Sequence, residues 1–413
     1  MPSREWTRAG ATEKWLVIVG IGEDGADGLS PKARDLIAQA EFVFGGRRHF
    51  DLAGSLIGGE ARPWPVPFDS AMTEVLGLRG RRVCVLASGD PLHFGVGATL
   101  ARHVDAAEMQ VVPAPSAFSL AAARLGWALQ EVETVSLHGR AVERILPLLH
   151  PGRRVIALTS DGDGPKAVAA LLRRNGFGAA RVHILEALGG PREKVSTFPA
   201  GELDERAFDP LNVVAIEMRE AAGARVLPLG PGLADDLFDH DGQITKREIR
   251  AVTLSALAPR RGELLWDIGA GAGSVAIEWM LAHPSMRAVA IEQDAERARR
   301  IYGNAAELGV PDLRVVEGAA PGALEDLPAP DAIFVGGGGS DEGVMDAAVA
   351  ALAFGGRLVA NGVTLEMEAV LLHLHARIGG DLTRIALSRA APIGGMTGWR
   401  PAMPVTQWAW RKP

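Results

Sequence analysis

The sequence predicts an α/β chain of two successive domains, the first divided into two lobes and the second Rossmann-like. Three observations predict it. Short, β-branched apolar runs alternate with Ala/Leu-rich stretches of helical period, the pattern of parallel strands covered on both faces. Gly residues, 50 of 413 and about twice the usual share, gather just after those apolar runs, where a chain leaving a strand turns tightly or approaches a ligand. A stretch rich in Gly, Pro and small residues, REAAGARVLPLGPGLADDL, then interrupts the alternation near 220–235. The predicted domains are therefore 1–225 and 230–413.

In the first domain the strands read WLVIVG (15–20), RRVCVLASG (81–89), MQVVPA (109–114), RRVIALTS (153–160) and NVVAIEM (212–218). Between them SPKARDLIAQA (30–40) and PKAVAALLRRNG (165–176) have helical period. The Pro113-Ala114-Pro115 hinge sets the boundary between the lobes near residue 113. In the second domain the strands are ELLWDIG (263–269), RAVAIEQ (287–293), LRVVEG (313–318), DAIFVGG (331–337) and GRLVANG (356–362). The C-terminal TQWAWRKP reads as a terminal strand or an interface.

Composition excludes several classes. With 43 Lys+Arg against 50 Asp+Glu the formal net charge is −7, so the general phosphate attraction of a nucleic-acid or anionic-membrane binder is missing. Cys84 is the single cysteine, which leaves no intrachain disulfide and no thiolate zinc cluster; no metal is expected. MPSREWTRAGATEK is polar and carries both charge signs, unlike a signal peptide. No apolar run approaches the roughly 18 residues of a membrane span. A cytoplasmic protein is expected.

The best local motif is Asp267-Ile268-Gly269-Ala270-Gly271-Ala272-Gly273-Ser274, in which a strand runs through a G-x-G-x-G turn into a helix. Glycines let the backbone approach a ligand, and the helix start offers bare N–H groups to it. Such turns serve NAD, FAD and plain chain reversal alike. Asp267 lies two residues before the first glycine, and Glu292 ends the next strand 19 residues after the last, where a carboxylate can accept both ribose hydroxyls. Glu317-Gly318-Ala319 closes the third strand. Upstream, Thr245 and Glu248 have capping-box spacing, which predicts a helix start. Lys246 and Arg250 share a face of that helix, with Arg247 beside them; they are candidate holders of substrate carboxylates, or a solvated basic face.

Gly20-Ile21-Gly22-Glu23-Asp24-Gly25 matches G-x-G-x-x-G in form, with Glu41 downstream. This is the case for a nicotinamide enzyme, and it is weakened because Glu23 and Asp24 would face a pyrophosphate. The more informative cluster is Ala87-Ser88-Gly89-Asp90-Pro91-Leu92-His93, followed by Pro113-Ala114-Pro115-Ser116-Ala117.

The order of strand, S-G-D-P turn, helix, strand, P-x-P-S-A turn and helix resembles the tetrapyrrole methyltransferases, as do VGIG and Gly45-Gly46-Arg47-Arg48-His49. D-x-G-x-G-x-G, then Glu292, then the Glu-Gly-Ala strand end, resembles the Rossmann-like methyltransferases. A tetrapyrrole-type half followed by a Rossmann-like half beginning QITKREIR resembles the precorrin-6Y C5,15-methyltransferases (decarboxylating) of the aerobic cobalamin pathway, from about residue 15 to about 410. The resemblance implies a two-lobed tetrapyrrole methyltransferase fold followed by a Rossmann-like S-adenosylmethionine-dependent methyltransferase fold. It also implies one S-adenosyl-L-methionine per domain, leaving as S-adenosyl-L-homocysteine.

By position, Ser88, Gly89, Asp90, His93, Ser116 and Ala117 would border the first cofactor, with Leu158 and Leu188 presenting backbone to it. Thr245, Asp267, Gly269, Gly271, Gly273, Glu292, Gly318 and Ala319 would hold the second. The implied reaction is methylation of a tetrapyrrole at C5 by the first half, then methylation at C15 with loss of the C12 acetate carboxyl by the second. Relatives of each half imply a homo-oligomer, a dimer or tetramer, with a small-molecule substrate and no nucleic-acid or membrane partner. Lys246 and Arg250, with Arg47, Arg48 and His49 in the first half, are the expected carboxylate holders. No Ser/His/Asp triad is expected, since the sulfonium methyl is already activated. The alternatives are a methyltransferase acting on RNA or protein, an NAD enzyme using Gly20–Gly25, and a non-catalytic adenosylmethionine sensor.

Overall fold

A computed structural model describes residues 14–65, 69–203 and 206–413; the polar N-terminal stretch through residue 13 lies outside the described residues. The chain divides into two units, 1–142 with 151–225 and 226–413 with 143–150.

The first lobe of unit 1 contains β1 (Leu16–Ile21), α1 (Gly25–Gly28), α2 (Pro31–Ala38), β2 (Phe42–Gly45), α3 (Arg47–Ala53), β3 (Glu60–Pro63), α4 (Asp69–Leu76), β4 (Val83–Ser88), α5 (Val96–Leu100) and β5 (Met109–Val112). Its sheet is wholly parallel, in the order β3-β2-β4-β1-β5. The continuous apolar runs of β1 and β4 occupy its centre because side chains alternate across the sheet and both faces are covered. Leu16, Ile18, Val83 and Val85 pack on one face with Phe44 and Val75. Val19, Ile21, Cys84 and Leu86 pack on the other with Ala33 and Ile37. Burial pushes the Cys84 thiol up to about 12, so it is a core side chain and not a nucleophile. Ser30 caps α2 by accepting from the Ala33 N–H, with Pro31 at the first helical position.

The second lobe contains α6 (Ala117–Leu125), β6 (Val132–Ser136), β7 (Arg154–Leu158), α7 (Gly164–Arg174), β8 (Arg181–Glu186), β9 (Lys194–Pro199) and β10 (Asn212–Glu217). Its sheet, β6-β7-β10-β8-β9, departs from the expected parallel arrangement. Only β6 and β7 pair in parallel. For β8 and β9 the reason is local. Residues 187–193 form a short turn closed by Gly190 N–H to Ala187 O and Glu193 N–H to Gly190 O, and so short a connection joins only antiparallel strands.

Unit 2 contains α8 (Arg247–Leu257), β11 (Leu264–Ile268), α9 (Ser274–Leu281), β12 (Arg287–Glu292), α10 (Ala295–Glu307), β13 (Arg314–Glu317), β14 (Ala332–Val335), α11 (Val344–Ala351), β15 (Arg357–Gly362), α12 (Leu365–Ile378), β16 (Asp381–Ile385), β17 (Ser388–Ile393), β18 (Met396–Pro401) and β19 (Val405–Arg411). Seven strands form one sheet, β13-β12-β11-β14-β15-β19-β16, parallel through β15. The C-terminal tryptophan-rich segment is the strand β19, antiparallel between β15 and β16, and Trp408 is fully buried. β17 and β18 form a separate hairpin. Leu265 and Trp266 face opposite cores, the first with α8, α9 and α10, the second with α11 and α12.

Candidate active site

In unit 2 the carboxyl ends of β11, β12, β13 and β14 open into one cavity of about 550 Å³, within the range of small-molecule sites. Its floor is the turn from β11 to α9. Gly271 has φ 58°, and a Cβ there would lie 2.9 Å from the Gln243 carbonyl oxygen, so only glycine fits under the 242–246 segment. Glu292, almost fully buried at the end of β12, accepts from Gly271 N–H at 2.8 Å and from Asp294 N–H at 3.0 Å. A carboxylate has about four lone-pair sites. Glu292 therefore retains one on each oxygen, enough for a ribose diol.

The cavity wall gathers Thr245, Lys246, Gly269, Gly271, Glu292, Gly318 and Ala319 from four separate segments. Gly273 and Asp267 act on it from behind. Gly273 is the residue before α9 and lies against Ile301. Asp267 is buried under the turn, where Oδ2 accepts from the Ala276 N–H at 3.0 Å and Oδ1 has no partner. Burial pushes its carboxyl up to about 7, and the neighbouring Glu292 charge adds to the rise. Asp267 is thus a brace for the turn and the first turn of α9; no part of it lines the cavity.

Arg250 overturns the expectation placed on it. Its side chain is 0% exposed. Its Nε donates to Glu278 at 2.5 Å, its Nη1 to Asp235 at 3.2 Å and to the Thr245 carbonyl at 2.5 Å, and its Nη2 to the Leu233 carbonyl. Glu278 also accepts from the N–H groups of Gly232 and Leu233. Arg250 is an internal tie that shapes the segment before α8 and has no face toward the cavity. The predicted capping box is also absent: the helix starts one residue later, Lys246 is its N-cap, and no side chain caps it. Glu248 instead pairs with Arg389 of β17.

Sequence reasoning missed two groups at the far end of the cavity. Arg389 lines it with Leu387, Ala402, Met403 and Val405, all from the strands and loops around the hairpin, which carry no recognisable motif. Asn361 closes β15 with its amide held in place. Its Nδ2 donates to Thr253 at 2.9 Å, and its Oδ1 accepts from Gln407 at 3.0 Å. The cavity thus has two characters, a backbone-rich end around Glu292 and an apolar end bearing Lys246 and Arg389.

In unit 1 the ends of β1 and β4 and the turn after β5 meet. A Cβ on Gly20 would lie 1.9 Å from the Gly89 carbonyl oxygen, so the loops after β1 and β4 touch backbone to backbone. The Ala114 N–H donates to Gly89 O at 3.2 Å, which brings Ser88, Gly89 and Asp90 against Ser116 and Ala117. Asp90 accepts from the Leu92 N–H at 2.9 Å, and Ser116 caps α6 by accepting from Ser119 N–H at 3.1 Å. His93 packs tilted against Phe118, ring centres 4.6 Å apart, and Leu158 and Leu188 pack in the same apolar cluster as Phe118. All eight predicted residues therefore converge on one end of unit 1.

Ser88 lies 2.9 Å from His49 Nε2, but the pair is no nucleophile and base. Gly46 N–H donates to His49 Nδ1 at 3.2 Å, which places the ring proton on Nε2 and makes the ring a donor to Ser88. Arg48 Nη2 also donates to Ser88 Oγ, at 2.6 Å. The Ser88 hydroxyl proton is left to point outward. Burial, with the Arg48 charge, holds His49 down to about 4, consistent with a neutral ring. Arg48 also pairs with Glu23, which lies 3.9 Å from Arg192. The Gly20–Gly25 loop therefore carries an ion-paired carboxylate where a pyrophosphate would have to lie.

The comparisons agree with both ends of the chain. Residues 15–204 match the family of tetrapyrrole (corrin/porphyrin) methylases, and residues 236–412 match the precorrin methyltransferase domain. The precorrin-6Y C(5,15)-methyltransferase (decarboxylating) of Sinorhizobium sp is 61% identical over 398 residues, 96% of each chain. A probable cobalt-precorrin-6B C(15)-methyltransferase (decarboxylating) of Pyrobaculum calidifontis is 36% identical over 43% of this chain and 96% of its own. The cobalt-precorrin-7 C(5)-methyltransferase of Salmonella typhimurium is 29% identical over 49% of this chain and 98% of its own. With two methyltransferase-family domains in the expected order and an end-to-end match, the chain belongs to the precorrin-6Y C5,15-methyltransferases (decarboxylating) of cobalamin biosynthesis.

Proposed function

We propose that unit 1 methylates the tetrapyrrole at C5, and that unit 2 methylates C15 and releases the C12 acetate carboxyl, each unit using its own S-adenosylmethionine. The observation that carries this reading is the two-part cavity of unit 2. Glu292 and the Gly271 turn suit a nucleoside at one end, while an apolar wall with Lys246 and Arg389 suits a flat, carboxylated macrocycle at the other. The net charge of −7 speaks against RNA as the acceptor. The reading places the enzyme in the cytoplasm as a homo-oligomer; among the described residues no helix is long and apolar enough to cross a membrane.

Bound S-adenosylmethionine supplies an already activated methyl group, so the chain has to align the acceptor carbon and exclude water. Glu292 would accept from the ribose hydroxyls, Ala319 and Ile291 would pack beside the base, and Thr245 would border the methionine end. Lys246 and Arg389 would hold carboxylates that stay on the ring. Ile249, Val363 and Val405 form the apolar wall. A carboxylate pressed against such a wall has neither cation nor water to stabilise it. That favours breakage of its C–C bond, with the electron pair passing into the protonated ring system and CO2 leaving. The meso carbon would take the methyl with ring electrons as the carbon–sulfur bond breaks and S-adenosylhomocysteine leaves, and would then lose its own proton; the side-chain carbon that loses CO2 would take up a proton to become a methyl group.

The test is turnover by the full chain with a precorrin-6 substrate and a methyl-labelled cofactor. Two labelled carbons, at C5 and C15, with one CO2 per macrocycle are expected. A product methylated once, or one retaining its acetate carboxyl, contradicts the reading.

A further inference from the structure

The β17–β18 hairpin carries a charge arrangement that the fold itself does not require. Arg389 and Arg400 are directly opposed in the antiparallel register, so their side chains share a face. Like charges in that position destabilise a hairpin, and this one is only two strands wide. Arg389 is neutralised by Glu248 and lines the cavity. Arg400 is exposed and has no hydrogen-bond or ion-pair partner among the described residues. Further along the same face Ala391 opposes Gly398 and Ile393 opposes Met396. Ile393 folds over Gly398, whose missing side chain makes room for it, and both Ile393 and Met396 are more than half exposed. The face thus continues the cavity outward, with two guanidiniums at its base and an apolar tip.

We propose that this face is a carboxylate clamp for the tetrapyrrole substrate of unit 2, in which Arg389 and Arg400 together grip one or two peripheral carboxylates while Ile393 and Met396 lie against the macrocycle edge. The proposal rests on the reading that unit 2 acts on a polycarboxylated tetrapyrrole. Charge complementarity selects the occupant, because an anion between the two guanidiniums relieves their repulsion. Continuity selects the site, because Arg389 belongs to both the cavity and the hairpin face. Glu248 is then a placeholder: it keeps Arg389 extended over α8 and yields when a substrate carboxylate arrives. Arg400 has no such tie and is the arm that makes the difference between bound and unbound substrate.

The test uses the full chain with its tetrapyrrole substrate and follows C15 methylation and decarboxylation separately from C5 methylation. Arg400→Ala is expected to raise KM for the unit 2 reactions about tenfold, and Arg400→Glu about a hundredfold. Arg400→Lys should recover most of the loss. C5 methylation, S-adenosylhomocysteine affinity and the sedimentation coefficient should stay unchanged. An Arg400→Glu enzyme with wild-type KM overturns the clamp. So does a changed sedimentation coefficient at wild-type KM, which would assign this face to contacts between copies of the chain. A wild-type chain that turns over no tetrapyrrole at unit 2 defeats the functional reading and the clamp with it, whereas wild-type turnover with an indifferent Arg400 defeats the clamp alone.

Discussion

Replacing Glu292 by Gln removes one charge and half of a carboxylate's acceptor capacity at the centre of the second cofactor site. In the structure both oxygens are engaged, one by Gly271 N–H at 2.8 Å and the other by Asp294 N–H at 3.0 Å. An amide offers one oxygen, so one of those N–H groups must face an NH2 group. A buried donor left without an acceptor costs about 1–3 kcal/mol. Hydrogen bonds to a charged group contribute about 1.5–3 kcal/mol, and at least one such bond to the ribose is lost. Because part of the first cost falls on the free protein, the loss at the site is about 2–4 kcal/mol, or roughly 30- to 1000-fold in Kd.

The assay is calorimetric titration of the full chain with S-adenosylhomocysteine. One binding event should keep its wild-type Kd while the other weakens by that factor. C15 methylation should fall with it and C5 methylation should survive. The same substitution removes a charge that raises the Asp267 carboxyl, so Asp267 should titrate lower in the variant. Equal weakening of both events, or no weakening of either, would refute the assignment of Glu292 to an independent second site.

Further expectations concern the framework. Arg250→Ala leaves Glu278 buried beside an empty space, and breaking a buried ion pair costs about 3–5 kcal/mol; denaturant unfolding should show unit 2 weakened and unit 1 unchanged. Asp267 adds a pH dependence. Its folded value of about 7 lies above the ordinary 3.8, so the folded state holds the proton more tightly and the stability contributed by Asp267 is full below about pH 4. That contribution should fall as pH rises from about 4 to about 7, by on the order of 4 kcal/mol, and then level off; the difference in stability between wild type and Asp267→Asn should change by that amount over this range, and a constant difference would contradict the buried carboxyl. For unit 1, nitrogen NMR should find His49 neutral at pH 7 with its proton on Nε2, and a proton on Nδ1 would restore Ser88 and His49 as a possible base pair.

Much of this was legible because local chemistry announces it. The β11 turn and Glu292 could be read from spacing, since a parallel strand, a glycine turn and the acid ending the next strand are fixed by adjacent geometry. The Ser88-Gly89-Asp90 and Ser116-Ala117 turns were readable for the same reason. Arg250 was not, because its role depends on Glu278, 28 residues away on another helix. Helical spacing placed it on a face with Lys246 and could not say that this part of the helix turns inward. Asp267 had the right position but points beneath the turn instead of into the cavity, a distinction made by the pleat of β11. Arg389 lies 141 residues from Glu248, in a hairpin with no sequence signature. The antiparallel pairing of β8 with β9 followed from loop length, which was harder to see than apolar periodicity.

The most direct test of the account is the stoichiometry of S-adenosylhomocysteine binding to the full chain, measured by calorimetry before and after Glu292→Gln. The account predicts two equivalents per chain in the wild type, with the variant losing tight binding of one only. A single equivalent in the wild type, abolished by the substitution, would contradict it and leave unit 1 without a cofactor of its own.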